Sequence, residues 1–382
     1  MRSALNYIQG QADPAFSVMA DAFAANFKVR GEVGAAVAVY QGGRKVLDLW
    51  GGLANLQRGT PWAEDTLVCM MSVGKGMAAL CVHRLIDRGA VDMDAPMAAY
   101  WPEFAESGKG GVLVRHVLGG TSGVLFADTA PPGSVMDWEA MTTAIARQPG
   151  EWPAGARGAY QSMTMGFMLG ELVRRVDGRS LNRFFQEEIA QPLQVQYGWG
   201  LDREQMERTA AIIGNPAHDT LRAFADPTTK LGRAWHMRPV GPDFYNTDAF
   251  RQGVLPSSNG HGQARAVAKI YAALASGGAL GQVEVLTPAG VARARTLSWD
   301  GVCGMTERHY RYAMGFFLNS PPLVPMGSNV QAFGHPGAGG ALGFADPERG
   351  LAFAYAPNFM CAGAGSGERA TALVDALYGL QR

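Results

Sequence analysis

Ser72-Val73-Gly74-Lys75 sets a hydroxyl and an amine three residues apart. On a helix that spacing puts both side chains on one face. A serine becomes a nucleophile when a neighbour takes its proton, and a lysine can do so once burial weakens its hold on its own. The chain holds 6 Lys against 27 Arg, and this is its one Ser-x-x-Lys. Arginine cannot fill the role, because it does not release its proton. If Ser72 opens a helix, unpaired N–H groups and the helix dipole favour negative charge there, and its own N–H can serve as an oxyanion donor. The same residues also read as an N-cap serine and a solvated first-turn lysine. A cation in a first turn opposes the dipole, which weighs toward chemistry.

Two further segments carry reactive groups. In Gly158-Ala159-Tyr160-Gln161-Ser162 a tyrosine sits where a Pro/Gly-rich loop meets a helix. Beside a lysine cation a phenolate is stabilised and can accept a proton from serine. The alternative is a core tyrosine with one hydrogen bond. In Gly334-His335-Pro336-Gly337-Ala338-Gly339-Gly340 the glycines allow a backbone to approach a substrate closely and aim N–H groups at it. The alternative is an ordinary turn.

In this order, Ser72-x-x-Lys75, Tyr160-x-Ser162 and His335-Pro336-Gly337 ahead of a strand resemble the serine β-lactamase and DD-peptidase superfamily. The match is to the class C-like branch that includes the family VIII carboxylesterases. Residues 114–123, ending in Thr121-Ser122-Gly123, resemble another family segment, with Gly120 where a histidine is usual. The resemblance spans about residues 34–358. It implies an α+β fold in which an antiparallel sheet built from both chain ends is flanked by helices and carries a mostly helical insertion.

It also implies a mechanism. Ser72 attacks an acyl carbonyl, Tyr160 as phenolate beside Lys75 takes the proton and returns it to the leaving group, and water hydrolyses the acyl-enzyme. The N–H groups of Ser72 and Ala338 form the oxyanion hole, and His335, Gly337 and Ser162 contribute to substrate binding. Whether Lys75 or Tyr160 is the base stays open, since the two titrate together. Three departures bear on substrate. His335 replaces a lysine that binds the substrate carboxylate, Pro336 removes a hydroxyl and an N–H, and Ser162 replaces an asparagine. Each weakens recognition of a carboxylated lactam and none hinders attack on an ester. The expectation is a carboxylesterase for short-chain esters. β-Lactamase or D-Ala-D-Ala peptidase activity, acyl transfer to an alcohol, and a silent binding module are the alternatives.

The elements that must position these groups are partly visible. Residues 13–29 and 72–88 have helical apolar spacing, the second stopping at Gly89. Residues 34–40 and 45–50 read as strands about a Gln41-Gly42-Gly43 turn. Residues 161–176 and 261–276 read as helices, the latter opened by Asn259 as cap, with a structural role for Asn259-Gly260-His261-Gly262. Residues 201–255 are irregular. Strands return at 312–318, 341–345 and 351–356, and a helix closes the chain at 367–380. The predicted domains are 1–90 with 298–382 for the sheet, and 91–297 for the helical part, with the active site in the cleft between. Tyr100, Phe126, Trp138 and residues 244–255 are the candidates for the pocket walls.

Composition sets outer bounds. Lys+Arg and Asp+Glu both number 33, which argues against general affinity for nucleic acid or anionic membrane. No apolar run reaches signal-peptide or membrane-span length, so a cytoplasmic enzyme is expected. Cys69, Cys81, Cys303 and Cys361 are widely spaced and read as buried thiols. No histidine pair has metal-ligand spacing and no glycine run has a phosphate-loop lysine, so neither metal nor cofactor is expected.

Overall fold

The computed structural model describes residues 8–239 and 243–379. Its main sheet draws on both chain ends. The N-terminal strands are β1 (Gln9–Ala12), β2 (Gly34–Gln41) and β3 (Arg44–Asn55). The C-terminal ones are β4 (Trp299–Val302), β5 (His309–Tyr312), β6 (Phe317–Leu318), β7 (Phe333–Pro336), β8 (Leu342–Asp346) and β9 (Leu351–Pro357). The spatial order is β1-β3-β2-β9-β8-β7-β6-β5-β4, and a short strand, Thr60–Pro61, adds to β3. Every neighbouring pair is antiparallel. The two chain ends meet where β2 pairs with β9, from Gln41 opposite Leu351 to Ala35 opposite Pro357. The β2–β3 hairpin turns on Gly42 and Gly43, both at positive φ, which matches the strand twist.

Helices cover both faces. Successive strand residues point to opposite sides, so Gly343 and Asp346 of β8 report on different layers. A Cβ at Gly343 would lie 2.6 Å from Val267 and 2.8 Å from Tyr271, so helix α4 (Ala264–Ala275) packs flush on that face. On the other, the Asp346 carboxylate accepts from the Tyr378 hydroxyl of helix α5 (Gly367–Gly379) at 2.5 Å. Helix α1 (Ser17–Val29) packs on α5, where Asn26 Nδ2 donates to the Arg369 carbonyl at 3.3 Å. Helix α2 (Val73–Asp87) is buried along nearly its whole length, between β7 and helix α3 (Thr164–Asp177).

The structure corrects several sequence readings. Residues 312–318 are not one strand: the chain turns at Gly315 (φ 94°), and Tyr312 pairs with Phe317 across that turn. Strands β4 and β7 carry too little apolar alternation to stand out. Helix α3 starts at Thr164, three residues later than expected. Helix α4 starts at Ala264 with Gln263 in the cap position, so Asn259 does not cap it. Helix α4, assigned above to the helical insertion, is a layer of the sheet. The described part of residues 201–255 contains short helices, among them Arg203–Glu207, Asp219–Ala225, Lys230–Ala234 and Asp248–Gln252. Leu380, at the end of the predicted last helix, lies outside the described residues. Among those residues no helix is long and apolar enough to cross a membrane.

Candidate active site

Ser72 is the residue from which α2 departs, yet its side chain makes no capping bond. Its Oγ instead accepts from Lys75 Nζ at 3.1 Å, so the hydroxyl is turned along the helix face rather than onto its N-terminus. Met71, just before it, has φ 49°, a left-handed conformation that costs a non-glycine residue about 1–3 kcal/mol. That twist lets the chain leave the short strand Val68–Cys69 and enter α2 within three residues.

Lys75 is fully buried, not a solvated first-turn lysine. Nζ also donates to the Ser257 carbonyl at 2.8 Å and lies 4.8 Å from the centre of the Tyr160 ring. No carboxylate pairs with it among the described residues, and desolvation alone pushes its pKa well below the usual 10.5. Ser257 went unnoticed in the sequence, because its carbonyl, not its side chain, makes the contact. A three-stranded ribbon delivers it: Val68–Cys69 pairs with His261–Gly262, which pairs with Tyr197–Gly198. The Asn259 side chain then ties the turn, accepting from Leu255 N–H at 2.8 Å and donating to the Phe250 and Gly253 carbonyls at 2.6 and 2.8 Å. The structural role expected of residues 259–262 is therefore to hold the turn that reaches Lys75.

Tyr160 arrives from far along the chain and is held on three sides. Its N–H donates to Cys303 Sγ at 3.1 Å. Ala159 N–H donates to the Gly120 carbonyl at 2.8 Å, and Gln161 Nε2 to the Val117 carbonyl at 2.8 Å. A Cβ at Gly120 would sit 3.0 Å from the Ala159 carbonyl oxygen, so glycine there admits the loop bearing Tyr160. The phenol hydrogen-bonds with Ser72, which lowers its pKa, but burial is the larger effect and holds it above the usual 10. Both shifts weigh against the expected resting phenolate and toward a neutral phenol beside a neutral amine.

The glycine loop closes the other side. A Cβ at Gly337 would lie 2.3 Å from the Met70 carbonyl oxygen, so only glycine lets the end of β7 press against the segment leading into Ser72. Ala338 follows at the pocket wall. Neither Ser72 N–H nor Ala338 N–H has a backbone acceptor among the described residues. His335 is displaced from its expected place. It is fully buried behind the wall, with Nδ1 bonded to the Pro336 carbonyl at 2.7 Å and its ring against Phe317 and Tyr160. Burial, then proximity to Lys75, pulls its pKa down to about 3, so it presents no cation to a substrate.

A hydroxyl, a buried amine and a phenol thus converge beside two free N–H groups. The profile of the Beta-lactamase family matches residues 20–377. The chain belongs to the beta-lactamase family. It is an enzyme, a serine hydrolase. It is 33% identical over 368 residues to Esterase/beta-lactamase LipL of Mycobacterium tuberculosis, covering 91% of this chain and 82% of that one. The fold superposes on a family VIII carboxylesterase with a TM-score of 0.88 at 34% identity, covering 98% and 99% of the two chains. A penicillin-binding protein homologue from Caulobacter crescentus gives a TM-score of 0.88 at 33% identity, with the same coverage.

Within this family member, Ser72, Tyr160, Ser162, Gly337 and Ala338 line one pocket of roughly 110 Å³. Ser162 does so with its hydroxyl engaged, accepting from Trp235 Nε1 at 2.9 Å. Phe224, Leu231, Trp235 and Tyr245 make an apolar side, and Thr220, Thr306, Arg308 and Tyr310 a polar one. The expected walls lie elsewhere. The Tyr100 hydroxyl accepts from Asp92 N–H, Phe126 is covered by Arg233, and Trp138 donates to Glu171. Of residues 244–255 only Tyr245 reaches the pocket. Aromatic residues scattered through the irregular 218–245 stretch were the available signal, but nothing local shows that short helices fold back over Ser72.

Proposed function

We propose that this enzyme hydrolyses short-chain carboxylic esters through an acyl-enzyme on Ser72. One observation carries the reading: an amine stripped of solvent and counter-charge lies 3.1 Å from the Ser72 hydroxyl, which opens on a small pocket. As the neutral base, Lys75 accepts the Ser72 proton while Oγ bonds to the acyl carbon. The carbonyl oxygen takes the negative charge and rests on the N–H groups of Ser72 and Ala338. When the tetrahedral species collapses, the ester C–O bond breaks and the Tyr160 phenol protonates the departing alkoxide. Lys75 then returns a proton to Tyr160, leaving the pair neutral. Water repeats the sequence on the acyl-enzyme and releases the acid.

The apolar side of the pocket, formed by Phe224, Leu231, Trp235 and Tyr245, supports a short acyl group. The buried, uncharged His335 supports an ester over a lactam, for the loop offers no cation to a lactam carboxylate. Similarity to proteins named as esterases agrees. The test is hydrolysis of p-nitrophenyl acyl esters of increasing chain length beside nitrocefin, with intact-protein mass measured on quenching. Turnover highest for acetyl to butyryl, an acyl adduct on wild type and none on Ser72→Ala are expected. Undiminished turnover by Ser72→Ala, or nitrocefin exceeding every ester in kcat/KM, would refute the reading.

A further inference from the structure

One formal charge lines the pocket among the described residues, and it stands on the wall beyond Tyr160. Arg308 lies just before β5 with its side chain about one-third exposed. Its Nη2 binds Asp219 at 2.7 Å, but that carboxylate also binds Arg222 at 2.5 Å. One carboxylate between two guanidinium groups leaves a net positive charge, and no Asp or Glu lines the pocket to cancel it.

The neighbours of Arg308 await a polar ligand. The buried Thr306 hydroxyl faces the Tyr310 phenol without completing a hydrogen bond of good geometry. His218 is 2% exposed and borders the same space. Its ring nitrogens face the Cys361 and Gly363 backbone without completing a hydrogen bond of good geometry. Burial lowers its pKa, so it adds a neutral donor or acceptor rather than a second cation. An unpaired buried polar group is costly, and a bound ligand group would relieve that cost.

The side of the ester that meets Arg308 follows from the path through the aromatic residues. Tyr310, two residues on, packs on Phe317 at 5.1 Å, and Phe317 packs on Tyr160 at 5.7 Å. Tyr160 is the donor to the departing alkoxide in the function proposed above, on which this inference rests. We propose that the pocket selects esters whose alcohol portion carries a carboxylate, held by Arg308 with Thr306 and His218 beside it. The preferred substrates would be acylated hydroxy acids, and the products a short fatty acid and a hydroxycarboxylate. This cation stands on a different wall from position 335, on a residue the sequence motifs do not mark.

The test compares two butyrate esters of equal size, that of 3-hydroxybenzoate and that of 3-hydroxybenzamide. Wild type should favour the carboxylate in kcat/KM by about tenfold or more, as expected for a charge-assisted pair. Arg308→Leu should bring the ratio near one, and Arg308→Lys should keep part of it. In wild type, raising the salt concentration should shrink the ratio, a reading that needs no variant. A wild-type ratio at or below one, or a ratio unaltered by both Arg308→Leu and salt, overturns the proposal. Turnover of both esters by Ser72→Ala would instead indict the acyl-enzyme reading, so the two failures are told apart.

Discussion

Lys75 holds a position that a structural lysine would avoid: buried, facing a carbonyl and a hydroxyl, with no anion among the described residues to offset its charge. The active form in the proposed chemistry has a neutral amine and a protonated phenol. Activity should therefore rise with pH as Lys75 loses its proton, through a pKa depressed by desolvation below the usual 10.5. It should fall only where Tyr160 ionises, above the usual 10. A pH-stat profile of kcat/KM tests this, and an acid limb unmoved in Lys75 variants would contradict it. Lys75→Arg keeps a cation and a long side chain but cannot yield a base. We expect kcat to drop by about 10²–10⁴-fold, with the folded state verified by circular dichroism. At this scale the sequence was legible for Ser72 and Lys75, because residues three apart on a helix are neighbours in any fold. It misled for His335, whose partners Phe317 and Tyr160 lie far along the chain and decide that it faces inward.

The ribbon and turn that carry Ser257 show how an element acts on chemistry without touching substrate. Asn259 fixes that turn with three hydrogen bonds. Asn259→Ala would orphan the Leu255 N–H and the Phe250 and Gly253 carbonyls, a loss of about 2–4 kcal/mol. Without the Asn259 side chain, the Ser257 hydroxyl, bonded to Gly166 N–H and the Met163 carbonyl, would be left to hold this turn by Lys75, so kcat should fall further than KM rises. Thermal unfolding with steady-state kinetics checks both parts, and a stable variant with wild-type kcat would show the turn to be unrelated to catalysis. The β2–β3 hairpin, α2 and β9 could be read from alternation, helical spacing and turn glycines. Strands β4 and β7 could not, since four residues containing glycine or proline are strands only because a neighbour pairs with them.

Across the whole molecule, burial of neutral histidines sets how the fold answers acid. Burial pulls His83 down to about 4, and His261 and His335 to about 3, from the ordinary 6.5. Each binds a proton more readily unfolded than folded. Their contribution is complete above about pH 6.5 and is lost as pH falls from there toward 4 and 3. His116 and His218, also lowered by burial, act in the same sense. Glu32 opposes them: desolvation raises it to about 7, so its contribution is present below 4.5 and lost as pH rises through 7. Several histidines against one carboxyl leave a net fall. Urea midpoints should decline steadily from pH 6.5 to 4.5, and a flat or rising midpoint would count against these groups staying neutral in the folded protein.

By itself the sequence determined what backbone geometry fixes locally: a serine and a lysine on one helical face, a glycine-turned hairpin, and apolar strands at both ends able to join in one sheet. Tertiary structure alone decided that Tyr160 reaches Ser72, that the Ser257 carbonyl meets Lys75, that His335 is sealed away, and that residues 218–235, Tyr245 and residues 306–324 roof the pocket. The division has a physical reason. Spacing within a few residues follows from bond geometry, whereas contacts between distant segments depend on which surfaces exclude water together.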